Sequence, residues 1–162
     1  MFALRFAGLL ALAVWFGGLL VLGAVAAPAI FDVVDARHIA DGRVFAGALF
    51  GEVLRRFHLV SYGCGAVLLL TFIARAVLGP RPRHFGARLG ILAVMLAAAV
   101  YSGVVLTGRI ESLRQQIGGA PSSLPEGDPR RVEFGRLHAQ STGIQVVPLL
   151  GAFILLAREL AD

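Results

Sequence analysis

Four apolar runs, three of them long enough by themselves to cross a bilayer as a helix, decide most of what this chain can become. A hydrocarbon core takes about 20 consecutive apolar residues in helical form. Three runs of that kind cover 6–29, 59–78 and 89–107; a fourth, 143–156, is short by itself and becomes a span over 138–158 when its helix begins earlier. With 57% hydrophobic and 15% charged residues in 162, the chain has too few charges for a soluble domain of its size. Lipid offers no partner to a backbone N–H or C=O, so a run that crosses as a single segment must be a helix. The expected fold is all-α: an integral membrane four-helix bundle, made of two tandem helical hairpins, forming a single domain over 1–162.

The stretches between the runs add detail. In segment 41–56, Val44, Phe45, Ala48, Leu49 and Val53 share one face, and Glu52 and Arg56 lie at i,i+4. That pattern predicts an amphipathic interfacial helix before span two. A similar segment precedes span four, where Asp128-Pro129 reads as a cap followed by proline at the first helical position. Pro148, inside that span, predicts a kink. Loop 118–130 is rich in proline and serine, and Gly79-Pro80-Arg81-Pro82-Arg83 forms a tight turn between spans two and three. Ala24-Val25-Ala26 before Ala27-Pro28-Ala29 resembles a signal-peptidase site. The long apolar run and Trp15 favour a retained first helix.

The 15 basic residues are all arginines, a usage that points to a GC-rich, bacterial genome. They flank the apolar runs, so the lipid bilayer with its anionic head groups is the expected partner, and no nucleic acid is. The side holding both termini carries six arginines against two acids, and the other side nine against eight. Charge density in short segments puts the termini in the cytoplasm of a bacterial inner membrane. The lone Cys64 excludes an internal disulfide and any CxxC motif.

One signature occurs twice: Arg56-Phe57-His58-Leu59-Val60-Ser61-Tyr62-Gly63, and 80 residues later Arg136-Leu137-His138-Ala139-Gln140-Ser141-Thr142-Gly143. Both copies stand where a polar stretch passes into a span, so both histidines enter the membrane from the same side. Between spans one and three, Gly18 and Gly23 align with Gly103 and Gly108 at an offset of 85. On a helix, His138, Ser141 and Gln145 share a face, and so do His58, Ser61 and Gly65. Two imidazoles meeting between spans two and four would suit a transition metal such as copper, or both axial positions of haem b. Ser61 and Ser141 would orient the rings. Gly63 and Gly143 would let backbones approach or admit a flat ligand. The competing reading makes each histidine a simple interfacial anchor. His38 and His84 fall in loops, and Cys64 reads as a packing residue. No nucleotide loop, Ser-His-Asp set or HExxH is present, so an enzyme is the less favoured reading.

Several pieces together carry a resemblance: Trp15-Phe16-Gly17-Gly18, Ala27-Pro28-Ala29-Ile30-Phe31, Ala46-Gly47-Ala48-Leu49-Phe50, Arg109-Ile110 with Leu113-Arg114, and Phe134 with Leu137-His138 and Ser141. With these the chain resembles the four-span family called transmembrane protein 205-like. That resemblance implies the same architecture and, through the platinum-drug resistance associated with the family's eukaryotic namesake, a connection to metals. More distantly, the chain is similar to the copper-resistance D membrane proteins and to HemJ-type porphyrin oxidases. From the latter it departs, having no histidine in span one and no lysine. The expected function is metal handling or membrane electron transfer. The alternatives are an accessory subunit of a larger membrane complex, with a membrane-protein partner or a second copy of itself, and a HemJ-like oxidase.

Overall fold

A computed structural model describes residues 2–39, 41–79 and 83–161. Four helices, each long and apolar enough to span a membrane, make up nearly all of it: α1 (Phe2–Ala36), α2 (Gly42–Leu78), α3 (Phe85–Ile117) and α4 (Pro129–Ala161). A short 3-10 turn at Pro121–Ser123 lies in the loop before α4. There is no strand among the described residues. The helices close a ring in which α1 packs on α2, α2 on α3, α3 on α4 and α4 on α1. This is the expected four-helix bundle of two hairpins.

The helices run further than the apolar stretches alone suggest. Segment 41–56 is helical as expected and, from Gly42, forms the first turns of the unbroken α2 that leads into the span. No proline or left-handed residue interrupts it, so the hydrogen-bond ladder carries straight into the span. α3 likewise continues to Ile117, where Gly118 at φ 68° receives the chain and bonds back to Arg114. α4 begins as expected: Asp128 accepts from the Arg130 backbone N–H, with Pro129 at the first helical position. The Arg130 guanidinium also bonds the Asp128 carboxylate, holding it below the usual carboxylate range. Within the turn Gly79–Arg83, residues 80–82 lie outside the described residues.

Two surfaces divide the apolar side chains. Trp15, Leu68, Phe72, Leu92, Met95 and Leu155 are buried at the bundle axis. Leu10, Val14, Leu70, Ile73, Val94 and Phe153 point outward, an apolar exterior suited to lipid. Glycines seat several axial side chains. A Cβ on Gly18 would collide with the Phe57 ring, and one on Gly151 would lie 2.6 Å from Met95 Sδ. Close helix approach at small residues is the ordinary way membrane helices associate.

At the end holding both termini, one carboxylate gathers all four helices. Glu159 of α4 is 2% exposed. It accepts from Arg88 of α3 and, at 2.9 Å, from Arg75 of α2. Arg5 of α1 lies within 3.9 Å of the carboxylate and donates to the Glu159 backbone carbonyl. Arg88 further donates to the Arg158 carbonyl at 3.2 Å. In sequence these arginines read only as topology charges. The hint was that Glu159 is one of two acids facing six arginines.

Candidate functional site

The buried stripe of α2 contains His58, Ser61, Gly65, Leu68 and Phe72, at the three- and four-residue spacing of one helix face. His58 is 4% exposed. Its Nδ1 lies 2.8 Å from the Leu54 carbonyl oxygen. A carbonyl only accepts, so Nδ1 carries a proton, and Nε2 is left with its lone pair directed into the bundle. The Gln145 side-chain amide of α4 approaches Nε2 at 3.4 Å and donates to Ser102 Oγ of α3 at 3.1 Å. Tyr62, one turn below His58, donates to the Ala99 carbonyl at 3.4 Å. Three helices thus meet at one polar cluster, and no buried side-chain nitrogen or oxygen among the described residues is left without a partner.

Local backbone geometry makes room for this cluster. Gly103 lies against it: a Cβ there would fall 2.8 and 2.9 Å from imidazole carbons of His58 and would collide with the Tyr62 hydroxyl. Gly103 belongs to a π-helical turn, Tyr101–Leu106, in the middle of α3. Thr107 Oγ1 donates to the Ser102 carbonyl at 3.0 Å. π turns inside α-helices are frequent at functional sites because the extra residue re-aims side chains. On α4, Pro148 has no N–H for the Ile144 carbonyl. The helix breaks at Gln145, whose N–H bonds back to Thr142 at 3.3 Å. The interruption expected at Pro148 therefore falls three residues earlier, at the residue that reaches the cluster.

A second π turn, Leu22–Ala26, interrupts α1. Its last residue and that of the α3 turn, Ala26 and Leu106, are 80 residues apart, the spacing of His58 and His138. At that spacing Gly23 corresponds to Gly103, which replaces the expected 85-residue alignment of Gly18 and Gly23 with Gly103 and Gly108. The two hairpins share their backbone irregularity as well as the short signature.

The structure does not bring the second histidine to the first. His138 is exposed, and its ring stacks on Phe134 with centroids 6.2 Å apart and planes 6° from parallel. Leu137, one residue earlier, takes the buried position, against Leu106 and Leu113. The cause is hydrophobic: a rotation of one residue, about 100°, buries leucine in place of imidazole. Ser141 and Ser61 are both buried, yet neither hydroxyl bonds an imidazole among the described residues. Gly63 and Gly143 are exposed with open space beside them. Five residues on a helix turn a side chain about 140° away, so a glycine at that distance leaves the histidine's face. Of the expected site residues, His58 and Gln145 come together. Ser102 and Gly103 complete the cluster; by sequence they read only as a close-packing pair. No group of three His, Cys, Asp or Glu side chains suited to a metal ion occurs among the described residues. His38 takes a left-handed turn at the end of α1, and His84 takes another just before α3.

Fold and cluster together define a multi-pass α-helical membrane protein with a histidine-centred polar cluster inside its bundle. Residues 10–118, about two thirds of the chain, match the family described as Domain of unknown function (DUF4149), and the chain belongs to that family. The match takes in His58, Ser102 and Gly103 but stops before α4. No curated protein and no solved structure matches the chain.

Proposed function

We propose that this protein handles a transition-metal ion within the membrane, with His58 as the imidazole donor. The observation that carries the reading is the state of that ring. Nδ1 is engaged by a backbone carbonyl and Nε2 faces the three-helix cluster, the arrangement in which imidazole serves as a metal ligand. The amide at 3.4 Å is a weak partner that a metal ion would displace. Gln145 and Ser102 would then supply oxygen ligands, which with one imidazole suits a single ion such as copper or non-haem iron; the close packing around the ring leaves no slot for a porphyrin. The resemblance to transmembrane protein 205-like and copper-resistance D proteins points the same way. His138 stands outside this site.

A second reading has its own support. Every buried polar side-chain atom in the cluster already has a partner, so the network satisfies itself without a ligand. On that reading the protein is an accessory subunit whose histidine is structural. Metal analysis and an absorption spectrum on gently solubilised protein separate the two. The expected result is bound copper or iron in the wild type, lost in His58→Ala and kept in His138→Ala. Protein that is colourless and metal-free, and that co-purifies with a stable assembly, would favour the subunit.

A further inference from the structure

On the side opposite the termini, a cleft of about 600 Å³ opens between the polar ends of α2, α3 and α4. Its centre is Arg114. The guanidinium lies 5.8 Å from the Phe134 ring centroid, over its face. It also lies against a pair of glycines one turn apart on α2. A Cβ on Gly47 would fall 2.6 Å from Nη2, and one on Gly51 would fall 3.6 Å from Nη1. This Gly-x-x-x-Gly spacing, which in membrane helices usually serves helix contact, here makes a slot for an arginine. Among the described residues Arg114 forms no ion pair with a carboxylate, whereas Arg43 pairs with Asp35 at 3.6 Å and Arg131 with Glu126 at 3.8 Å. Arg43 and Arg131 also line the cleft, and Glu111 is its one acid. Phe31, Val44 and Phe134 supply apolar wall. The cleft lies beyond the ends of the apolar runs, on the polar extensions of the helices.

We infer that the Arg114 cleft binds the phosphate head group of an anionic phospholipid, with the guanidinium on the phosphate and the glycerol–acyl region on the apolar wall. Arg114 is thus the cleft guanidinium without a carboxylate partner among the described residues, and arginine matches phosphate geometry with paired N–H donors. A basic pocket between membrane helices can hold an anionic head group through the same contacts that hold any phosphate. The inference stands apart from the His58 cluster, which faces the bundle interior.

The test uses the full chain in neutral detergent, with thermal unfolding followed as short-chain phosphatidylglycerol, short-chain phosphatidylcholine or inorganic phosphate is added. Phosphatidylglycerol should stabilise the wild type, and Arg136→Gln, a charge loss on the same side outside the cleft, should behave alike. Arg114→Gln should weaken the apparent affinity about tenfold or more, and Arg114→Lys should fall between. If Arg114→Gln does not fold, the double variant Arg43→Gln with Arg131→Gln should show the same weakening. Equal stabilisation by phosphatidylcholine, or an unchanged response in the cleft variants, would overturn the inference. An inorganic phosphate response matching that of phosphatidylglycerol would assign the cleft to a free anion and overturn the lipid assignment.

Discussion

Gly103 shows how much one missing methyl group can control. Its hydrogen atom faces the His58 ring, and a Cβ would sit 2.8 Å from one ring carbon and 2.9 Å from another. Overfilling a packed site costs about 1–3 kcal/mol. Gly103→Ala should therefore lower the melting temperature and push the imidazole away from Gln145, whereas Gly63→Ala, facing open space, should be neutral or slightly stabilising. Melting curves of the two variants in one detergent check this, and equal melting would contradict the crowding argument. At this scale the sequence was half legible. The repeated signature singled out His58 correctly as a buried polar group, but it could not tell that Leu137 would displace His138 from the equivalent position. Spacing fixes which residues share a face; it does not fix which face turns inward.

Among the elements, α4 departs most from a regular helix. Pro148 acts through the carbonyl four residues before it, so the break falls at Gln145. Replacing Pro148 with Ala restores the missing N–H and should let the helix run unbroken through Gln145. The protein should still insert with its helix content kept, while the Gln145 bridge between His58 and Ser102 is lost. Nitrogen chemical shifts of the His58 imidazole report that loss directly. An unchanged ring spectrum would mean that the interruption is incidental to the cluster. The four helices were readable from run length and hydropathy, and the proline foretold an interruption in the right helix. The π turns were not readable, because no residue type marks an extra residue in a helical turn. Only the 80-residue spacing of Gly23 and Gly103 carried a trace of them.

For the molecule as a whole, Glu159 ties the bundle at the end that carries the termini. Its partners Arg5, Arg75 and Arg88 come from the other three helices, and Arg88 is buried with it. Removing one member of a buried ion pair leaves the other uncompensated, at a cost of about 3–5 kcal/mol. Glu159→Gln should destabilise by that order, mostly through Arg88, since Arg5 is partly in solvent. Thermal unfolding of the purified protein measures it, and a loss under about 1 kcal/mol would show that the backbone carbonyls hold the arginines alone. The amino-acid sequence by itself determined the membrane, the four spans and their helical form. Hydropathy is a local quantity, and lipid leaves a single crossing segment no other way to satisfy its backbone. Tertiary structure alone decided that His58 meets Gln145 and Ser102, that His138 turns outward, and that Arg114 settles between two glycines and a phenylalanine. Those outcomes depend on how far each helix rotates about its axis, and that rotation is set by side chains of the neighbouring helices, many tens of residues away along the chain.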